Sequence, residues 1–124
     1  MLDTNIITAL LKSEPGIADK IDQADTVYMS STILGELYYG ALNSNQSVKL
    51  TNAIRKVLRI CKLFYIDHHT SLLYGEIKAQ LRRDGKMIPE NDIWIAASAK
   101  QHSVILISRD EHFDFIEGIT TSKW

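Results

Sequence analysis

Apolar positions in this chain follow two spacings, which alternate along its length. Where apolar residues recur every three or four positions the pattern predicts helices with one buried face, and short continuous apolar runs predict strands buried on both sides. The predicted helices pass through Ile6 and Leu10, through 15–24, 33–42, 50–61 and 73–81, and through 91–102. The predicted strands are residues 1–3, 26–30, 63–66, 103–108 and a final edge strand at 119–121.

Strands separated by helices predict an α/β fold. Parallel strands need a crossover connection, usually a helix, so this order indicates a mainly parallel sheet covered by helices on both faces. The chain contains no repeat, low-complexity segment or linker. We therefore expect residues 1–124 to form a single domain.

The predicted helix at 91–102 raises the first question of chemistry. It begins NDIWIAASA, in which six of nine residues are apolar, so it must be largely buried. Asp92 in its first turn could cap the helix, because backbone N–H groups and the positive end of the macrodipole meet there. It could equally hold a metal ion, since an ionised acid in a buried helix is costly unless water, a donor or a cation meets it.

Three further acids fall near the place where an open parallel sheet forms its functional crevice, beyond the carboxyl ends of the strands. Asp3 and Asp110 follow predicted strands, and Glu36 lies in the helix after the strand at 26–30. Each has a simpler interpretation, because Asp3 could cap a helix and Asp110 could be a turn residue. Glu36 lies about 150° from the centre of its helix's apolar stripe, which favours a solvated face. Together, four such carboxylates facing one crevice would repel one another, and hard divalent cations relieve that repulsion.

Composition and charge narrow the class of protein by exclusion. The chain is 45% hydrophobic and 23% charged, and its single cysteine, Cys61, permits no internal disulfide. The N-terminal residues lack the pattern of a secretory signal, and no run approaches the roughly 20 apolar residues that cross a bilayer. We expect a cytoplasmic protein without a membrane partner. The net charge of −1 argues against a general nucleic-acid coating protein but permits an enzyme that gathers acids in one pocket.

Four segments of the chain resemble the PIN-domain ribonucleases, and among them the VapC-type toxins of prokaryotic toxin–antitoxin pairs. They are LDTNI at 2–6, SSTILGELYYGA at 30–41, IPENDIWIAASA at 88–99 and ILISRDEHFDFIEGI at 105–119, and the closing SKW at 122–124 also matches. The resemblance covers nearly the whole chain. In one departure, only two residues precede Asp3, fewer than is usual in the family, which predicts either a short first strand or a start codon placed too late in the chain.

The resemblance implies a three-layer α/β/α sandwich with a central, mainly parallel sheet and an acidic pocket that binds Mg²⁺ or Mn²⁺. It also implies an endoribonuclease that hydrolyses phosphodiester bonds with metal-activated water. Carried over motif by motif, the catalytic and metal-binding acids are Asp3, Glu36, Asp92 and Asp110. Asn5, Ser108 and Arg109 lie beside two of these acids and are expected to support them or to contact phosphate.

Three partners follow from the same resemblance. One is a structured RNA substrate such as transfer RNA, although no residue of the sequence specifies which. Another is a small antitoxin whose C-terminal segment covers the active site and inserts a basic side chain among the acids. The third is a second copy of the chain, for which the apolar stripes at 46–61 and 70–83 could supply an interface, although such stripes are also typical of a core.

Residues that would hold RNA are harder to identify. Arg82, Arg83 and Lys86 form a small basic cluster around the RDGK turn, close to Asp92 in sequence. Tyr38, Tyr39 and Trp94 could stack on bases, although Tyr38 and Trp94 fall on core-like faces. Arg109 could equally form a surface salt bridge of little energetic value.

The four histidines show no spacing typical of a zinc site, so structural or surface roles are expected for them. His112 is the one that lies close to a predicted ligand, Asp110.

A non-hydrolytic protein is the alternative interpretation: a Mg²⁺-binding α/β switch or an RNA-binding scaffold. A receiver-like switch would need a strand that ends in lysine beside its phosphoacceptor, and no predicted strand does. A scaffold would tolerate the loss of single acids. A haloacid-type phosphohydrolase would need two acids in a DxDxT motif, and LDTNI supplies one.

Overall fold

Short parallel strands form the central layer of the computed structural model, which describes residues 1–124. The strands are β1 (Val27–Ser30), β2 (Cys61–Phe64), β3 (Leu106–Ile107) and β4 (Thr121–Ser122). β1 pairs with β2 and β3 pairs with β4, each in parallel. Residues 1–3 join the two pairs, because the Leu2 N–H donates to β1 (2.8 Å) and the Asp3 N–H donates to β3 (2.9 Å). The order across the layer is therefore β2, β1, residues 1–3, β3, β4.

Six α-helices and one short 3₁₀ helix surround this layer. The α-helices are α1 (Thr4–Leu11), α2 (Ile17–Asp22), α3 (Ser31–Leu42), α4 (Ser47–Val57), α5 (His68–Arg83) and α6 (Glu90–Gln101), and the 3₁₀ helix is Glu111–Phe115. One cluster of 27 buried apolar residues fills the interior. The predicted α/β/α sandwich with a mainly parallel central sheet is confirmed. None of the helices combines the length and the apolar character needed to cross a membrane.

Local sequence explains where the longest helix begins and ends. The Asp67 carboxylate accepts a hydrogen bond from the Thr70 N–H (2.9 Å), and the Thr70 hydroxyl accepts one from the Asp67 N–H (3.0 Å), which makes a capping box before α5. After Arg83 the chain turns at Gly85, whose φ of 65° is readily adopted only by glycine. The predicted stop at RDG is confirmed.

α6 is buried on nearly every side, as its sequence predicted. The side chains of Ile93, Ile95, Ala96, Ala97, Ser98 and Ala99 are all buried. α6 packs along α5, where the rings of Tyr74 and Trp94 stack with centroids 4.0 Å apart. The Lys78 ammonium forms an ion pair with Glu90 at 2.5 Å across the same contact. The start of α6, which carries Asp92, is therefore held firmly against its neighbour.

Strand limits are where the sequence-based prediction was wrong. β2 begins at Cys61 rather than 63 and ends at Phe64, so Tyr65 and Ile66 lie beyond it and are exposed. The helix predicted to reach 61 ends at Val57. β3 spans only two residues of the predicted 103–108, because Ser103 adopts a left-handed φ of 51° as the chain leaves α6. The first strand is short, as expected, and makes a single bridge between Leu2 and Ile107.

Candidate active site

Asp3 lies at the centre of the molecule, at the end of the middle strand and at the start of α1. Its side chain is 5% exposed. It caps α1 by accepting a hydrogen bond from the Thr4 N–H (2.7 Å), and it also accepts bonds from the Asn5 amide (2.8 Å) and the Ser108 hydroxyl (2.6 Å). The helix cap and the polar cluster are therefore two functions of one carboxylate, rather than alternatives.

Residues of two other helices hold the Glu36 side chain, and one of them also contacts Asp3. One of its carboxylate oxygens accepts a hydrogen bond from the Thr4 hydroxyl of α1, and the other accepts one from the Asn91 amide of α6 (2.8 Å). Its position opposite the apolar stripe of α3 favoured a solvated face, but the start of α6 lies over that side of the helix. Glu36 is accordingly half-buried.

Asp92 does not cap the helix in which it lies. The N-cap of α6 is Pro89, and no side chain caps its free N–H groups. The Asp92 carboxylate instead contacts His112, whose Nδ1 lies 2.9 Å from Oδ2. This half-buried acid therefore faces the crevice formed with the 3₁₀ helix, rather than its own backbone.

Asp110 caps the 3₁₀ helix by accepting a hydrogen bond from the His112 N–H (2.9 Å). The Asp110 N–H in turn donates to the Ser108 hydroxyl (3.0 Å), which also donates to Asp3. His112 Nδ1 lies 3.1 Å from Asp110 Oδ1. The turn that follows β3 thus connects Asp110 to Asp3 on one side and to Asp92 on the other.

The charges of neighbouring acids influence the pKa values of Asp3 and Asp92. Burial is the main cause that raises the pKa of Asp3 above its ordinary value, and the charges of Glu36 and Asp110 add to it. Burial likewise raises the pKa of Asp92, with contributions from Asp110 and Asp3. Hydrogen bonds from Ser108 and His112 oppose these two shifts. A bound cation would offset the cost of ionising Asp3 and Asp92 in this crevice.

The donor atoms of this crevice fit a divalent metal ion. Ligand atoms of Asp92, Asp110 and His112 lie within 4.8 Å of one another, and none of the three side chains is fully exposed. Asp3 and Glu36 lie outside this group of three; Ser108 connects Asp3 to Asp110, and Thr4 connects Glu36 to Asp3. Carboxylate oxygens suit Mg²⁺ and Mn²⁺, while a histidine nitrogen suits transition-metal ions.

Arg109 lies at the rim of the crevice but is engaged elsewhere. Its guanidinium forms an ion pair with Glu14 at 2.5 Å and donates to the main-chain oxygen of Trp124 (2.7 Å). Its backbone N–H donates to the Asn5 side chain (3.3 Å), so the residue still supports the site through its main chain. Beside it opens a depression of about 520 Å³, lined by Asn5, Arg109, Asp110, Glu111, His112 and Phe115.

The predicted RNA-binding residues lie outside the crevice itself. Arg82, Arg83 and Lys86 are exposed at the end of α5, and the Lys86 ammonium lies 4.8 Å from the ring centroid of Phe115 in the 3₁₀ helix. Trp94 is committed to its stack with Tyr74. Tyr39 is 74% exposed and borders a depression that also contains Glu36 and Asn91.

A mostly apolar groove of about 300 Å³ leads away from Glu36 between three helices. Its lining residues are Thr4, Thr8, Leu11, Lys12, Glu36, Leu37, Gly40, Ala41, Leu50 and Ile54. A side chain at Gly40 would meet open space, because nothing lies within 4 Å of the position that its Cβ would occupy. The groove is therefore an open surface that ends at the acids.

Sequence reasoning selected the four acids as candidate ligands but missed several of their polar neighbours. Thr4 and Asn91, which hold Glu36, stand inside two of the recognised motifs, so their position beside an acid was the available signal. His112 was considered only for its closeness to Asp110, and its contact with Asp92 depends on the 3₁₀ turn. Nothing in the sequence pairs Glu14 with Arg109, which lie 95 residues apart.

Comparison with known proteins agrees with this geometry. The PIN domain family model matches residues 1–118. Over 128 residues the chain is 38% identical to Ribonuclease VapC2 of Haemophilus influenzae, covering 100% of this chain and 96% of that relative. Over 127 residues it is 27% identical to the tRNA(fMet)-specific endonuclease VapC of Shigella flexneri, with coverage of 100% and 96%. The structure of VapBC-1 from nontypeable Haemophilus influenzae matches with a TM-score of 0.91 and 32% identity, over 100% of this chain and 96% of that one.

Proposed function

This chain belongs to the PIN-domain family, and we propose that it is a divalent-metal-dependent endoribonuclease, the toxin of a type II toxin–antitoxin pair. The proposal rests above all on the contacts that connect four acids from separate segments of the chain. Thr4 donates to Asp3 and Glu36, Ser108 bonds to Asp3 and Asp110, and His112 contacts Asp110 and Asp92. The similarity to VapC ribonucleases supports the same reaction.

The four acids have different roles in binding the metal. Asp3 and Asp92 are the most direct ligands in this proposal, because they are the acids whose pKa values burial raises. Bound Mg²⁺ or Mn²⁺ would supply an activated water and neutralise charge on the phosphate oxygens. Asn5 and Ser108 fix the orientation of Asp3, and Thr4 and Asn91 fix that of Glu36.

RNA would approach across the open side of the crevice. Tyr39 is the aromatic residue placed to stack on a base, because it is exposed and borders the depression beside Glu36. Arg82, Arg83 and Lys86 would hold the backbone farther out, and Arg109 would reach phosphate only by leaving Glu14. The Shigella relative is named for a transfer RNA, which supports a cytoplasmic tRNA as substrate.

The experiment compares RNA cleavage by the purified chain with and without divalent ions. Cleavage is expected with Mg²⁺ or Mn²⁺ and not in excess EDTA, with 5′-phosphate and 3′-hydroxyl ends because water is the nucleophile. Asp92→Asn should abolish cleavage and keep the fold, whereas Asp114→Asn, an exposed acid of the 3₁₀ helix, should not reduce it. Cutting in EDTA, or 2′,3′-cyclic phosphate ends, would contradict the mechanism.

The apolar groove beside Glu36 is the proposed seat of the antitoxin. An amphipathic segment would bury its apolar side there, and a basic side chain at its end would meet the acids. Expression of the chain should arrest growth, and the product of a short neighbouring reading frame should restore it. Gly40→Leu fills the groove and should abolish this rescue, whereas Gly75→Leu in α5 should leave it intact. Equal rescue of both variants would remove the groove from the proposal.

A homodimer is the remaining proposed assembly. The stripes at 46–61 and 70–83 are largely core, since Ile54, Val57, Ile77 and Leu81 are buried. Exposed apolar side chains on those segments include Val48, Ile60 and Leu72, which are available for a second copy. Sedimentation velocity should give twice the chain mass, and Leu72→Asp should shift it towards monomer if α5 forms the contact.

A further inference from the structure

His112 gives the acidic crevice a nitrogen atom among its oxygens. Building on the metal-dependent nuclease proposed above, we propose that His112 binds the metal ion through Nδ1, together with Asp92 and Asp110. The site would then prefer a divalent transition-metal ion such as Mn²⁺ to Mg²⁺.

The two distances from the His112 nitrogen are those of neighbouring ligands on one ion. Nδ1 of His112 lies 2.9 Å from Asp92 Oδ2 and 3.1 Å from Asp110 Oδ1. In an octahedral site with metal–ligand bonds of about 2.1 Å, adjacent ligand atoms are about 3.0 Å apart. An ion bound by Nδ1 and either carboxylate would therefore require little movement of those two side chains, and the ligand atoms of all three residues lie within 4.8 Å of one another.

The position of the imidazole is fixed by the backbone that carries it. The His112 N–H is held by Asp110, which caps the 3₁₀ helix, and the next residue, Phe113, is 1% exposed in the core. Asp92 is fixed separately by α6, which is buried along its length. Two elements anchored in the interior thus hold the three donor groups, and the His112 side chain, 42% exposed, keeps one side open to solvent.

A purely hydrogen-bonding role for His112 explains the geometry less well. A hydrogen bond of Nδ1 accounts for its contact with Asp92, whereas its approach to Asp110 at 3.1 Å does not have hydrogen-bond geometry. If the nitrogen lone pair binds an ion that both carboxylates also bind, all three groups are engaged.

The nature of the ligand determines the preferred ion. Mg²⁺ favours oxygen ligands and usually keeps several waters, whereas imidazole is a common ligand of transition-metal ions. Replacing one oxygen of an acidic site by this nitrogen strengthens binding of the transition-metal ion relative to Mg²⁺. The consequence is specific to His112 and leaves the roles of Asp3 and Glu36 unchanged.

Electron spin echo spectroscopy of the Mn²⁺-loaded full chain tests the proposal directly. The expected spectrum contains strong ¹⁴N modulation from a directly bound imidazole, which His112→Ala removes and His69→Ala, an exposed histidine of α5, retains. Titration should show His112→Ala weakening Mn²⁺ binding about tenfold or more, with a much smaller change for Mg²⁺.

Failures of the two proposals are distinguishable. Tight Mn²⁺ binding without ¹⁴N modulation in the wild-type chain would overturn the role of His112 and leave the nuclease intact. Equal losses of Mg²⁺ and Mn²⁺ affinity in His112→Ala would also overturn the proposed preference. A clear nitrogen signal in a protein that cleaves no RNA would contradict the nuclease proposal and not the ligand assignment.

Discussion

At the scale of single residues, the ionised forms of Asp3 and Asp92 destabilise the folded chain. The raised pKa values of Asp3 and Asp92 mean that both groups bind protons more tightly in the folded chain than in the unfolded chain. Their favourable contribution is therefore complete below the ordinary pKa near 3.8 and is lost as the pH rises through the raised values. In the metal-free protein, the ionised form of each of these two groups therefore carries a free-energy cost of burial.

Removing one of these charges should stabilise the metal-free protein. In EDTA at pH 7.5, Asp92→Asn is expected to raise the melting temperature, and the difference from the wild type should shrink towards pH 3. Thermal melts followed by circular dichroism measure this, with the exposed Asp114→Asn as the control. A lower melting temperature for Asp92→Asn at pH 7.5 would show that its contact with His112 outweighs the cost of burial.

Ser108 should affect metal binding because it holds the Asp3 carboxylate in position. Its buried hydroxyl donates to the carboxylate at 2.6 Å and also accepts the Asp110 N–H, so Ser108→Ala removes a support from two acids. Loss of such a support typically costs about 10–100-fold in metal affinity or activity. Calorimetric Mn²⁺ titration checks this against Ser98→Ala, an equally buried serine that donates only to a carbonyl of α6. Equal effects of the two substitutions would indicate general destabilisation.

At the scale of elements, the capping box makes α5 sensitive to one side chain. Hydrogen bonds from the Thr70 backbone and from Gln101 lower the pKa of Asp67 to about 2. This acid therefore stabilises the fold above its ordinary pKa of 3.8, and the contribution is lost as the pH falls through about 2. Asp67→Ala should lower the melting temperature at pH 7 by a few degrees, while Asp67→Asn, which keeps an acceptor, should lower it less. Identical melts for wild type and Asp67→Ala would contradict this account.

The helices and strands also show which parts of the structure could be predicted from the sequence. The long helices were predictable because their apolar residues are distinctive, as a stripe with a capped start in α5 and as a nearly continuous apolar run in α6. The limits of β2 were not, because Tyr65 and Ile66 are as apolar as the buried strand residues and only the pairing with β1 excludes them. The surroundings of Glu36 were hidden for a related reason, since periodicity describes one helix and not the helix that covers it.

At the scale of the whole molecule, metal binding should couple to stability through the charge of the crevice. A ligand that binds only the folded state stabilises it by about 2.7 kcal/mol at 100 times its dissociation constant. Mn²⁺ or Mg²⁺ should therefore raise the melting temperature by several degrees at pH 7.5 and by much less at pH 4, where protonated acids bind metal poorly. An equal increase for Asp92→Asn would show that the ion binds elsewhere.

The middle strand, residues 1–3, can complete its contacts only after residues near the end of the chain have been made. Asp3 is held by the β3 carbonyl of Ile107 and by the Ser108 hydroxyl, more than a hundred residues later in the chain. During translation the first residues leave the ribosome long before those partners exist. Under the proposed function, a nascent chain could therefore not cleave RNA until Ile107 and Ser108 have been synthesised and have left the ribosome.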